Sequence, residues 1–344
     1  MTTVPAFSEL PAYSEFVSQI ERAPDRVVAR WPFAVLAALG VLLVAAPIVT
    51  GMFPRSVQSE AMIDNFAPYV TGQSIDGYRS DLRVLDAAHA NIVAVQSTSP
   101  PPGEYPRVDQ FVRDYPGIRS DISGMLDAID NNRGNYQKLS STAPFGTLPW
   151  LLALPGLVLI GAGVFGFRAA GRGSRATAWR AVGALAGLAL VVTPFAAGLF
   201  AAGPAAQPVL DGFAPILTTE HVRRVQGYFV TLVAADGELN SRYAGAARAA
   251  RPDADLSGIT ALENRWQPMT SRFAALVGTM NDNVGNFHAV EALNDVTRPL
   301  GFTAFRGLAW GFLIPGALVT GLALIGLRPS RTGSGRSDST GGTA

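Results

Sequence analysis

Four stretches of this chain, about 31–53, 146–167, 181–203 and 307–327, are apolar from end to end and contain no Asp, Glu, Lys, Arg or His. Each has the ~20 residues that a helix needs to cross a bilayer. The segments between them, 54–145 and 204–306, are polar, and their apolar residues recur at heptad spacing. Phe111, Tyr115, Ile118, Ile122, Met125, Ile129, Asn132 and Tyr136 follow one another at alternating steps of four and three. Leu262, Trp266, Met269, Phe273, Leu276, Met280, Asn283 and Phe287 do the same. A seam sustained this long predicts a coiled-coil-like helix. Weaker seams precede each one: Ile75, Tyr78, Leu82, Leu85, His89, Ile92, and Val222, Val225, Phe229, Leu232, Asp236, Leu239. Breakers separate the seams, Ser97 to Gly103 with three prolines in the first segment and Ala249 to Gly258 with Pro252 in the second. The pattern therefore predicts an antiparallel helical hairpin in each polar segment, with a helix over 107–140 that is roughly 50 Å long at 1.5 Å per residue. One hairpin has a single seam to bury, so the two are expected to pair as a four-helix bundle. The expected class is an all-α integral membrane protein with four transmembrane helices and two exported antiparallel helical hairpins.

The pattern is also written twice. Residues 31–88 lie over 178–235 at an offset of 147, with 17 of 58 positions identical, among them Gly40/Gly187, Pro47/Pro194, Gly51/Gly198 and Phe53/Phe200. At an offset of 160, Leu148, Trp150, Pro155, Gly156, Gly161, Gly166 and Arg168 meet Leu308, Trp310, Pro315, Gly316, Gly321, Gly326 and Arg328. This period is far too long for a solenoid repeat. It predicts a tandem duplication: repeat 1 over 31–167 and repeat 2 over 181–327, each made of span, hairpin and span. Both repeats enter the membrane in the same direction, so their axis of pseudo-two-fold symmetry should lie along the membrane normal. Small residues at four-residue spacing, Gly183/Gly187, Ala162/Gly166, Gly307/Gly311 and Ala317/Gly321, suit close helix contact.

Arginine placement sets the orientation. The turn 168–180 carries Arg168, Arg172, Arg175 and Arg180 and no acid, and Arg22, Arg26 and Arg30 precede the first span. The segments 54–145 and 204–306 are instead slightly acidic. Residues 1–30, the turn 168–180 and a disordered tail over 328–344 are thus placed in the cytoplasm, and both hairpins outside. The first span matches an internal one and is read as a retained anchor, not a cleaved signal peptide. Only 15% of residues are charged, against ~25% in ordinary soluble domains, which fits a membrane protein. A net charge of +1 offers nothing to nucleic acid. The absence of cysteine excludes disulfides, thiolate metal sites and a lipoprotein anchor. One lysine against 26 arginines points to a GC-rich genome and hence a prokaryotic plasma membrane.

Two shared polar motifs are the candidate contacts for a partner or for lipid. The first is Asp64, Phe66 and Pro68, matched by Asp211, Phe213 and Pro215. It reads either as a headgroup-level element with Phe66 and Phe213 dipping into lipid, or as a corner where proline breaks the helix, aspartate sits at a helix start and phenylalanine packs in the bend. The second is the block holding Asn132 and Asn135, matched by Asn283 and Asn286. It resembles the opening of a calcium loop, but glycine is not at the sixth position and no acid follows at the twelfth. Asn132 and Asn283 occupy seam positions, where a polar residue fixes register at some cost in stability, so leucine at either is expected to raise the melting temperature. In the spans, Pro155-Gly156 and Pro315-Gly316 are candidate membrane kinks in corresponding positions.

No catalytic, cofactor-binding or metal-binding residue is expected. The three histidines lack ligand spacing, and no nucleophile elbow, phosphate loop, dinucleotide fingerprint or zinc-protease motif is present. The chain is read as a non-enzymatic plasma-membrane protein, a scaffold or accessory subunit of a cell-envelope complex. Its expected partners are membrane lipids, an envelope or membrane protein and, as an option, a second copy of itself. A lipid or hydrophobic-solute conduit is the alternative, although transporters generally place ionisable groups at membrane depth and these spans have none. The layout of span, bundle and span also resembles the input module of bacterial four-helix-bundle sensors, which would imply signalling through a separate partner.

Overall fold

In the computed structural model the described residues are 29–98, 100–142, 144–170, 175–296 and 306–325. The tail 328–344 and most of the N-terminal segment lie outside them. The described residues are helical, with no strand among them. In chain order the helices are α1 (Trp31–Val49), α2 (Met52–Phe66), α3 (Gly72–Thr98), α4 (Pro106–Ser140), α5 (Leu148–Ala169), α6 (Arg175–Ala196), α7 (Leu199–Phe213), α8 (Thr219–Glu238), α9 (Ala244–Ala250), α10 (Ser257–Asp295) and α11 (Arg306–Ile325). A single 3-10 turn, Phe145–Thr147, precedes α5, and a π-helical turn, Leu239–Tyr243, joins α8 to α9.

Four helices, Trp31–Val49, Phe145–Ala169, Ala176–Ala196 and Gly307–Leu324, are long and apolar enough to cross a membrane, as a multi-pass membrane protein requires. The first span is shorter than its hydropathy predicts. Its helix stops at Val49 because Gly51 adopts φ 63°, a left-handed conformation that side-chain-bearing residues avoid. Gly198 does the same at φ 68° and ends the third span at Ala196. A new helix starts directly after each glycine.

The chain divides into two compact units. Of the described residues, one takes those up to Ala46, those within Leu151–Thr193 and those from Phe312 to Ile325; the other takes those within Pro47–Trp150 and Pro194–Gly311. In the first unit, apolar helices cross where neither carries a side chain. A Cβ on Gly40 would lie 2.6 Å from the Gly156 carbonyl oxygen, and one on Gly316 would lie 2.9 Å from that of Gly187. The helices run unbroken through Pro155 and Pro315. The glycine after each proline is therefore where a neighbouring helix seats. Gly166 likewise leaves room for the Phe33 ring, whereas Gly311 and Gly321 meet no atom within 4 Å.

The second unit is built around α3, α4, α8 and α10. Gln96 bonds Asp109, Asp86 bonds Tyr115 and Arg119, and Arg79 bonds Asp127 and Asp130, so α4 runs antiparallel to α3. The same descending register joins α3 to α10, from Asn91–Gly258 down to Asp81–Arg272. It also joins α4 to α8, from Val108–Glu238 down to Asp121–Tyr228. Neighbours follow the ring α3, α4, α8, α10 and back to α3. Every seam residue of α4 from Phe111 to Tyr136 is buried, as the heptad predicts. On α10, Trp266 and Phe273 are only partly buried.

The two short helices cross over between the halves. α2 packs on α10, and α7 packs on α4. Thr71 and Thr218 cap the helices that follow, each hydroxyl accepting a backbone N–H three residues on, at 3.1 and 3.0 Å.

Candidate functional site

The Asp-x-Phe-Ala-Pro motif ends α2 and α7 rather than starting a helix. Because each helix begins right after its left-handed glycine, Asp64 and Asp211 fall in the last turn, which corrects the expected position at a helix start. Both carboxylates are exposed, and Asp211 accepts a hydrogen bond from Gln207 at 2.6 Å. Phe66 and Phe213 point inward, 2% and 1% exposed, and meet edge to face with centroids 6.1 Å apart. Each ring's burial stabilises the bundle by about 1.5–3 kcal/mol. Neither ring is free to enter lipid. Pro68 and Pro215 are exposed in the turns after the helices.

Among the asparagines, the two seam positions are unlike. Asn283 is 1% exposed and fully engaged. Its amide donates to the Thr279 carbonyl at 2.8 Å, and its oxygen accepts from Asn65 at 3.2 Å and Asn286 at 2.9 Å. Asn132 donates only to the Ala128 carbonyl of its own helix, at 3.0 Å. Its amide occupies the space that a Cβ on Gly212 would take. Asn135 is partly exposed. The sequence placed Asn132 and Asn283 on the two seams of α4 and α10; what each touches on the opposing helix was not legible.

Charge is distributed unevenly around the ring. The α3–α4 interface is bridged by Arg79 to Asp127 and Asp130 at 2.8 and 2.9 Å, and by Asp86 to Arg119 and Tyr115, both at 2.7 Å. Burial and the Asp86 hydrogen bond push the Tyr115 hydroxyl well above its ordinary pKa, so it stays neutral. The α3–α10 interface is joined by Asp81, 5% exposed, which accepts from Arg265 at 2.9 Å and from Arg272 at 2.6 Å. Glu238 reaches from the end of α8 to the start of α4 and accepts the backbone N–H groups of Arg107 and Val108 at 2.8 and 3.0 Å. Burial raises its pKa, but these donors and Arg242 outweigh that and hold it below the usual value.

The α8–α10 interface has no comparable bridge among the described residues. Its contact is the stacking of Phe229 on Phe273, centroids 5.9 Å apart. Beside it lies a slot walled by Phe229 and Leu232 of α8, Trp266 and Phe273 of α10, and Tyr78 and Asp81 of α3. The slot has a free volume of ≈ 40 Å³ inside an outline of ≈ 540 Å³ that takes in the solvent at its open mouth. It is therefore narrow in at least one dimension. One turn beyond Leu232 on α8, burial raises the Asp236 pKa to about 6, against the lowering effect of a hydrogen bond from Asn240 and with a smaller push from the Glu263 carboxylate.

A second, open cleft, ≈ 1170 Å³ with its open mouth included, lies between α4, α7 and α8. Asp121 accepts from Tyr228 there at 3.0 Å and lies 4.0 Å from His221 Nδ1. No group of three metal-ligating side chains occurs among the described residues. Sequence reasoning missed Asp81, Arg265, Arg272 and Glu238. Nothing in their local pattern separates a charge that bridges helices from one that is solvated. The chain matches no protein-family model, and no curated protein shows significant similarity to it.

Proposed function

We propose that this is a non-catalytic membrane protein in which two copies of one span–hairpin–span unit interlock, presenting an exported helical bundle that binds a partner in a cell-envelope complex. The observation that carries the reading is the exchange of short helices: α2 of the first half packs on α10 of the second, and α7 of the second on α4 of the first. Such an interlock joins the two hairpins into one bundle, as a scaffold requires. Other correspondences support the duplication. Phe53 meets Trp150 at 5.0 Å and Phe200 meets Trp310 at 6.1 Å, the same pair at the expected offsets. Phe66 touches its own counterpart Phe213, as residues beside a pseudo-two-fold axis do. The arginine-rich turn 168–180 supports an external bundle.

On the bundle's outer surface, Val230 and Val233 of α8 are 67% and 43% exposed, an apolar strip suited to a protein contact. The test is purification in mild detergent after chemical crosslinking in cells. A stoichiometric envelope protein, lost on Val230→Glu with Val233→Glu while the bundle stays folded, is the expected result. Recovery of the chain alone, or a partner indifferent to both substitutions, overturns it. The conduit reading draws on the apolar slot, and lipid transfer between reconstituted vesicles tests it.

A further inference from the structure

We propose that the slot beneath α8 is a binding site for a single aliphatic chain with a carboxylate head, a free fatty acid. The inference goes beyond partner binding and stands whether or not a partner is found.

The slot exists because α8 is the loosely held wall of the bundle. From Gln226 to Ala234 no residue of α8 is buried, whereas α3 buries a residue at every turn from Ile75 to Val95. The ion pairs that fasten α3 to α4 have no counterpart between α8 and α10. Outward movement of α8 therefore breaks few contacts, and an entering chain replaces them by burying apolar and aromatic surface. The lining is apolar except at Asp81, Thr270 and the Tyr78 hydroxyl, and the last two already donate to backbone carbonyls, so water inside would find few hydrogen-bonding partners. The free space is only ≈ 40 Å³, so a chain enters only as α8 moves outward, and the room opened along that one wall suits one slender chain rather than a bulky ring system or a pair of chains.

The head follows from charge. Asp81, on the wall of the slot, is shared by two guanidinium groups, Arg265 and Arg272, so two positive charges meet one negative in this cluster. Arg272 Nε is buried and its N–H has no acceptor. Both side chains remain about two-fifths exposed and hence reachable, 39% for Arg265 and 40% for Arg272. One carboxylate balances one surplus guanidinium and supplies an acceptor that Arg272 lacks. A diacyl phospholipid matches the charge but brings a second chain for which the slot has no room.

The experiment uses the full chain in detergent with a palmitate analogue carrying a diazirine at the chain end, and maps the photo-crosslinks by mass spectrometry. Crosslinks are expected in the peptides around Phe229–Leu232 and Trp266–Phe273, competed away by unlabelled palmitate. Leu232→Trp fills the slot and should cut this labelling about tenfold or more, with Leu232→Phe as the milder variant should the first not fold, while Val230→Ser on the outer surface leaves it unchanged. Arg265→Gln should weaken palmitate about tenfold and leave the analogous long-chain alcohol unaffected. Labelling confined to the apolar spans, labelling that a folded Leu232 variant does not reduce, or equal loss of acid and alcohol in Arg265→Gln would overturn the proposal. Preferential labelling of the same peptides by a diacyl phosphatidylglycerol probe would reassign the site to phospholipid and overturn it as stated.

Discussion

Asn65, on the last turn of α2, donates its side-chain amide to the carboxamide oxygen of Asn283 in the middle of α10, 3.2 Å away. The two lie 218 residues apart, and the bond ties the start of one half of the chain to the long helix of the other. At the corresponding place in the second half, Gly212 faces Asn132, and no such bond is available because glycine has no side chain.

This difference revises what leucine should do at the two seam positions. Asn283→Leu removes the shared acceptor of the Asn65 and Asn286 amides, which water can partly replace, and should destabilise the bundle by about 1 kcal/mol. Asn132→Leu removes only a bond within its own helix and should be neutral or slightly stabilising. Thermal unfolding of both variants by circular dichroism checks this. Equal responses in either direction would refute the asymmetry.

Glu238 caps α4 from another helix, and Glu238→Gln should cost about 1–2 kcal/mol, since a neutral acceptor binds the two N–H groups less strongly. The folded pKa is lowered below the ordinary value of 4.5. Its contribution is therefore complete above about 4.5 and is lost as pH falls through the lower folded value. Denaturant melts of wild type and variant should converge in strong acid and separate by pH 6.

Asp236 has the opposite sign. Its folded pKa stands at about 6 against 3.8 for the free side chain, so stability falls as pH rises between those values. Asp236→Asn should stabilise the bundle by about 1 kcal/mol above pH 6, a figure reduced for solvent screening of a half-exposed group. Below pH 4 the gain should vanish, because both states of the wild type are then protonated. A gain that persists there would point to packing instead of charge.

Gly40→Leu and Gly187→Leu push a side chain into a facing helix and should each destabilise the apolar unit by about 1–3 kcal/mol or more. Gly321→Leu, with no atom within 4 Å, should be tolerated. Melting of the detergent-solubilised protein separates the two outcomes.

Cysteines placed at Ser97 and Ser271 should react with an impermeant maleimide in intact cells, and one at Ser174, in the arginine-rich turn, only after the cells are opened. The reverse pattern would invert the proposed orientation.

The four spans and the long α4 helix were legible in the sequence because hydropathy and heptad spacing are local properties, and a helix satisfies its backbone within itself. The ends of the first and third spans were not, since hydropathy runs on through Gly51 and Gly198 while the backbone turns left-handed there. Equally legible was that Phe66 and Phe213, and Asn132 and Asn283, stand at corresponding positions of the two similar stretches of sequence. Only the tertiary structure decided that the phenylalanines face each other inside the bundle and that the two asparagines have different neighbours. It also decided that α8 packs loosely over an apolar slot while α3 is fastened by Asp81, Asp86 and Arg79. Such pairings depend on which distant helix lies opposite, and that is fixed by the joint packing of all four helices rather than by the spacing along any one of them.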